Sequence, residues 1–440
     1  MSVTSQISGS SAREVAASIE RSVRDGGLAP GTALPSVREL SAALALSPVT
    51  VVAALRELRQ RGIVLTRERR RTIINPRPPL PPALAPASLP RGTRDLASGL
   101  PDPRLLPHGR AVLRSLALPT ESYPDEGTLP ALVGEARRQF TEGGVAADDI
   151  CVVSGALDGV ERVLGAHLVA GDGVLVEDPG YPAVFDLLRA MGLVPVPVPL
   201  DDRGLQPKAL ALALRSGARA LVLTPRGQNP TGAALDVDRA KAIRELLRRD
   251  PDLLVIEDDH QGPLSGVRGQ SVIAQRRRWA VVRSVAKSLG PDLRVAFVAG
   301  DAETLARVAG RFACGPGWVS YILQRAVLEL LRSPEIRAQL ARATRTYAER
   351  REALIAALAE HGIAATGRSG FNVWIPVADE GVVTVALLQS GWAVAPGARF
   401  RIASPPAMRV TTATLRPDES RRFARDLERV LRASPRPRAA

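Results

Sequence analysis

Three lysines, Lys208, Lys241 and Lys287, are the only primary-amine side chains in a 440-residue chain with 59 basic residues. Lys208 opens the stretch QPKALALAL and Lys241 sits on the charged face of DRAKAIRELLRR, so both read as solvated helix positions. Lys287 is different, because it lies in Ser284-Val285-Ala286-Lys287, directly after an apolar run. Other polar motifs stand in a comparable position: Ser154-Gly155-Ala156, Glu177 to Pro182 with Tyr181, Gln228-Asn229-Pro230-Thr231-Gly232, Glu257-Asp258-Asp259-His260, and Arg294. Asn229 to Asp258 and Asp258 to Lys287 are equal steps of 29 residues. An acid, an amide, one lysine and a hydroxyl-plus-arginine pair are what a pyridoxal 5′-phosphate site needs. The amine forms a Schiff base with the aldehyde, a carboxylate keeps the pyridine nitrogen protonated, and an amide donates to the phenolic oxygen. Small residues, hydroxyls and an arginine hold the phosphate, with help from helix N-termini. Each residue alone has an ordinary explanation as a turn, cap or strand end; their order and spacing carry the assignment.

The elements that must position these groups follow from the same rows. From about Asp95, strand-like runs at Gly173 to Glu177, Ala220 to Thr224, Leu253 to Glu257, Trp279 to Ser284 and Val295 to Ala299 alternate with helical stretches. That alternation predicts a doubly wound α/β sheet with ligands at the carboxyl ends of its strands. No GxGxxG or GxxxxGK[ST] segment supports a dinucleotide or nucleoside triphosphate. Two cysteines and four scattered histidines form no metal-ligand spacing, so no metal is expected. Prolines at 76, 78, 79, 81, 82, 86 and 90 predict an extended spacer that divides the chain.

Ahead of that spacer the composition changes. Residues 1–78 hold twelve arginines against six acids, nearly half of the net +14. Val15, Ile19 and Val23 mark the apolar stripe of a first helix, Ser36 with Glu39 is a capping box opening a second, and Ser47-Pro48 opens a third with Val51, Leu55 and Leu58 inward. Ile63 to Thr66 and Thr72 to Ile74 read as a two-stranded ribbon with a basic tip at Arg67, Arg69, Arg70 and Arg71. Three helices and a ribbon make a winged helix-turn-helix, and the arginine excess fits a duplex phosphate backbone. The low aromatic content, 3%, argues against single-strand stacking platforms.

The stretch PGTALPSVRELSAALALSPVTVVAALRELRQRGIV resembles the GntR-type DNA-binding domain. The resemblance implies that Arg38 contacts phosphate or base edges, that Ser47 and Thr50 begin the recognition helix, and that the wing enters the minor groove. Pro48 departs from the family's usual Arg or Lys, and Arg69-Arg70-Arg71 stands where the wing usually has glycine.

Most of residues 95–430 resembles the fold-type I aminotransferases. That resemblance makes Lys287 the Schiff-base lysine, Asp258 the pyridine-nitrogen partner and Asn229 the donor to the phenolic oxygen. Tyr181 would stack on the ring, and Gly155, Ala156, Ser284 and Arg294 would hold the phosphate. It further implies that Tyr123 reaches the phosphate from a second subunit and that Arg409 clamps an α-carboxylate. His260 stands where a tyrosine usually donates to the phenolic oxygen.

Together the halves resemble the MocR subfamily of transcriptional regulators. The expected division is a winged helix over 7–75, a linker over 76–94 and an aminotransferase-like domain over 95–437. The expected function is DNA binding controlled by pyridoxal phosphate or a small amino compound, in a domain-swapped homodimer on a double-stranded operator. The alternative is a working aminotransferase with an accessory winged helix. The N-terminus lacks a secretory pattern and no run of about twenty apolar residues could span a bilayer, so a cytoplasmic protein is expected.

Overall fold

The computed structural model describes residues 3–433 except 26, 30, 61–62, 68–70, 75–88, 108–111, 113, 115 and 117–126. Two compact units form, one built mainly on residues 1–85 and one mainly on 86–440.

In the first unit, α1 (Ala12–Arg24) is capped by Ser11, whose side chain accepts from the Glu14 amide. α2 (Val37–Leu44) carries the complete Ser36–Glu39 capping box and ends on Ala45 in the left-handed region (φ 54°). α3 (Pro48–Gln60) begins three residues later and is inclined to α2 by 116°. A short turn and a near-perpendicular angle are the geometry of a helix-turn-helix. Val15, Ile19, Leu40, Val51, Leu55 and Leu58 close one apolar core with Val64 and Ile74. β1 (Val64–Arg67) and β2 (Arg71–Ile74) pair antiparallel, and Leu34 donates to the Thr72 carbonyl beside them. Arg67 pairs with Arg71 in register, so these two close the ribbon's ladder.

The second unit opens with β3 (Arg94–Asp95). Its main sheet contains β4 (Ile150–Val153), β5 (Gly173–Asp178), β6 (Val194–Asp201), β7 (Gly204–Leu205), β8 (Ala220–Leu223), β9 (Leu254–Asp259), β10 (Trp279–Ser284) and β11 (Ala296–Gly300). They are ordered β4-β11-β10-β9-β8-β5-β6-β7. The β5-β8-β9-β10 run is parallel, and β11 lies antiparallel between β10 and β4. β8 and β9 are buried at every position, the continuous burial expected of a parallel sheet covered on both faces. A smaller sheet is made of β12 (Asn372–Pro376), β14 (Ala395–Pro396) and β15 (Ala407–Thr411), while β13 (Trp392–Ala393) pairs with β3. β15 is its centre, with Arg409 opposite both Trp374 and Ala395. No single described helix is long and apolar enough to cross a membrane.

Candidate functional site

The carboxyl ends of β5, β8, β9 and β10 converge on a cavity of about 280 Å³. Ala156, Tyr181, Asn229, Asp258, His260, Ser284, Lys287, Arg294 and Arg409 all line it. Nine residues from seven separate stretches of sequence therefore meet at one place. Lys208 and Lys241 are exposed on helices, as their patterning predicted.

Alternation along β9 separates two neighbouring acids. Successive side chains of a strand point to opposite faces, so Asp258 enters the cavity while Asp259 meets two arginines. Burial opposes the Asp259 charge, yet Arg226 at 2.8 and 2.8 Å and Arg283 at 3.0 Å hold its carboxyl below the usual range. Asp258 has no such partners. Burial pushes it up, and the nearby His260 only partly offsets this. The His260 Nδ1 lies 3.7 Å from Asp258 Oδ2, beyond hydrogen-bonding reach, and Asp258 Oδ1 has no hydrogen-bond partner. Burial, together with the Lys287 charge, holds the His260 imidazole below its ordinary value.

Lys287 Nζ donates to the Gly99 carbonyl at 2.8 Å. Burial, then the Arg409 charge, brings its amine down to about 8. The neutral, nucleophilic form is thus far more populated near neutrality than for a solvated lysine. Arg409 donates to Asn229 Oδ1 at 2.9 Å and to the Ala97 carbonyl, while its Nε has no hydrogen-bond partner. Since Asn229 accepts through Oδ1, its Nδ2 is left as the donor on that side chain. Phe400 lies under the Arg409 guanidinium, 4.8 Å from ring centroid to Cζ.

One end of the cavity lies at a helix start. The helix Ala156–His167 begins at the cavity, and its free N–H groups and dipole favour a phosphate there. Gly155 (φ 108°) precedes it, and a Cβ at this position would stand 2.5 Å from Arg294 Nη2. Only glycine lets Arg294 lie across that turn, where Nη2 donates to the Ser154 carbonyl at 3.3 Å. Ser284 accepts from the Ala286 amide at 3.1 Å.

Sequence reading missed three contributors. The Ser98 to Pro101 segment forms one wall; its Gly-x-Pro punctuation was the available signal. The Arg226–Asp259–Arg283 cluster ties β9 to β10 and to the loop after β8; the Asp258-Asp259 doublet was its trace. Gln228 supports the Asn229 turn, accepting from the Thr231 amide (2.9 Å) and hydroxyl (2.6 Å). Tyr123 lies outside the described residues.

In the first unit Arg38 is exposed on α2. Ser47 caps α3 by accepting from the Thr50 amide at 3.1 Å, and the two hydroxyls are 2.8 Å apart. Arg69 and Arg70 lie outside the described residues, and Arg67 and Arg71 are placed only by the ribbon's register. Among the described residues no group of His, Cys, Asp and Glu could hold a metal ion.

One consequence follows from Lys287. Its folded value lies below the ordinary 10.5, so the unfolded chain binds more protons between about 8 and 10.5 and stability rises with pH across that window. Capture of an added aldehyde by Lys287 should accelerate roughly tenfold per pH unit below about 8 and level off above it. Stopped-flow absorbance against pH measures this, and a profile still climbing at pH 10 would contradict the buried-amine account.

Residues 11–74 match the family described as bacterial regulatory proteins of the gntR family, and residues 122–427 match the class I and II aminotransferases. The vitamin B6 salvage pathway transcriptional repressor PtsJ of Salmonella typhimurium is 39% identical, over 97% of this chain and 99% of its own. The pyridoxine biosynthesis transcriptional regulator PdxR of Corynebacterium glutamicum is 30% identical, over 76% and 75%. In structure, the α-aminoadipate aminotransferase LysN of Thermus thermophilus, solved with N-(5′-phosphopyridoxyl)-L-leucine, aligns with TM-score 0.69 and 25% identity over 78% of this chain and 92% of that one. The fold-type I aminotransferase domain indicates pyridoxal phosphate as the cofactor. The residues present fit it: an orphaned buried carboxylate, a buried amine and a glycine turn under an arginine surround a cavity of suitable size. A GntR helix-turn-helix joined to a class I and II aminotransferase domain, with full-length similarity to such regulators, places the chain in the MocR-type transcriptional regulators.

Proposed function

We propose that this regulator binds an operator duplex through residues 7–75 and reads pyridoxal phosphate, alone or with a small amino compound, through residues 95–437, with 76–94 as the linker. The observation that supports the reading is Lys287: of three lysines, it alone is withdrawn from solvent, and it lines one cavity with the orphaned Asp258 carboxylate and the buried Arg409. When bound, pyridoxal phosphate supplies an aldehyde for amine capture and an electron-accepting ring.

The chain's own groups then have separate tasks. Lys287 gives its neutral amine and releases the Gly99 carbonyl. Asp258, with Oδ1 unpartnered, holds the proton of a ring nitrogen, which also relieves the penalty of burying its charge. Asn229 Nδ2 and the His260 imidazole donate to a phenolic oxygen, and Tyr181 covers the ring face. The helix at Ala156, Ser284 and Arg294 bind phosphate, completed in a dimer by Tyr123 of the second subunit. Arg409 exchanges its Asn229 and Ala97 contacts for the carboxylate of an amino compound in a bidentate fork. Full-length similarity to a vitamin B6 salvage repressor supports a vitamin B6-linked target gene, a repressor's sign of action and a cytoplasmic location.

Arg38→Ala should weaken binding to the protein's own upstream region uniformly across sequences and lower the steepness of its salt dependence by about one counterion. Gel retardation at several salt concentrations tests this. No retardation of any fragment, with multiple turnover of an amino donor and a keto acid, would instead favour an aminotransferase.

A further inference from the structure

The exposed face of α3 is apolar where a DNA-reading helix would be expected to carry hydrogen-bonding side chains. Val49 is 79% and Val52 45% exposed, and Ala53 and Arg56 are exposed beside them. Positions 49, 52, 53 and 56 form one helical stripe, opposite the buried Val51, Leu55 and Leu58. The nearest polar groups are already engaged: the Ser47 and Thr50 hydroxyls lie 2.8 Å apart, and Ser47 accepts from the Thr50 amide. Pro48, first residue of the helix, has neither a side-chain donor nor an amide hydrogen. The charged residue of the stripe, Arg56, comes two turns along, and Arg38 is exposed on the preceding helix.

In a helix-turn-helix the second helix enters the major groove with its N-terminal residues at the base edges. The apolar feature presented there is the C5-methyl of thymine, which neither cytosine nor the purines carry. We propose that Val49 and Val52 read thymine methyl groups, so the half-site bases under the start of α3 are specified by apolar contact while Arg38 and Arg56 hold the phosphates. Charge supports this occupant over a second copy of the chain, since the arginine-rich first 78 residues favour a polyanion and repel another such surface. The inference rests on the DNA-binding reading and deepens it by naming the base group recognised.

The test uses the full-length protein and its own upstream region, amplified once with thymidine and once with deoxyuridine triphosphate, which removes only the methyl. Wild type should bind the uracil fragment about fourfold more weakly for each methyl lost from contact. Val49→Ala should bind thymine DNA more weakly by a similar factor and lose most of the thymine-over-uracil preference. Arg38→Ala should weaken both fragments and keep it. Equal wild-type affinity for the two fragments overturns the inference, as does a Val49→Ala protein that keeps the full preference. A Val49→Ala protein that changes only its oligomeric state in sizing also overturns it, by assigning the stripe to a second copy. Failure of wild type to retard either fragment would overturn the DNA-binding reading and the inference with it.

Discussion

Lys287→Ala is expected to remove the visible band of covalently attached cofactor from the protein while leaving its thermal unfolding close to that of the apoprotein. The residue is half-buried just beyond β10, its amine hydrogen-bonded to the Gly99 carbonyl, and no other lysine lies at the cavity. The truncation deletes the one nucleophilic amine, and a noncovalent ligand would keep only its phosphate and ring contacts. The folded apoprotein, meanwhile, loses a buried cation whose charge burial disfavours. Dialysis of both proteins against pyridoxal phosphate, then absorbance spectra and melting curves, checks both halves. A Lys287→Ala protein with an unchanged visible band would remove the site assignment.

Asp258→Asn should produce two opposite effects. Cofactor affinity should fall about thirtyfold or more, because removing one partner of a buried charge pair costs at least about 2 kcal/mol. The apoprotein should become more stable. Asp258 is buried with Oδ1 unpartnered and its carboxyl is pushed up by burial, so near neutrality its charged form costs folding free energy. A neutral amide of the same shape lacks that cost, and each kcal/mol relieved should raise the melting temperature by about 1–2 °C in a domain of this size. Linkage has the same sign for the parent protein: a raised carboxyl value means stability is lost as pH rises through the window between its unfolded and folded values. Fluorescence titration and calorimetry read the two effects separately. Lower affinity together with a less stable apoprotein would mean that Asp258 braces the strand end instead of awaiting a partner.

The sequence made the strand ends legible because chemistry there coincides with local punctuation. Apolar runs stop and small or polar residues begin at Ser154-Gly155, Asn229-Pro230 and Ser284, and the structure brings these points to one cavity. Local capping rules were equally readable: Ser36 with Glu39 and Ser47 with Pro48 open α2 and α3 as those residue types require. What could not be read was long-range pairing. Lys287 meets Gly99 across 188 positions and Arg409 meets the Ala97 carbonyl across 312. The strand before Gly99 is two residues long, too short to show alternation. Arg226, Asp259 and Arg283 form their cluster only once β9 and β10 are in register, so nothing local distinguished Asp259 from Asp258. The ribbon shows a smaller difference of the same kind: Arg67 and Arg71 read as tip residues, but their cross-strand pairing makes them the last rung of the ladder.

The link between the two units is the claim on which the regulatory account stands. Gel retardation of the protein's own upstream region, with and without saturating pyridoxal phosphate, for wild type and Lys287→Ala, tests it most directly. The account predicts that the ligand changes the wild-type affinity for DNA several-fold and that Lys287→Ala loses this response while still binding DNA. Retardation of wild type that is identical with and without pyridoxal phosphate, and unmoved by added amino compounds, would contradict it.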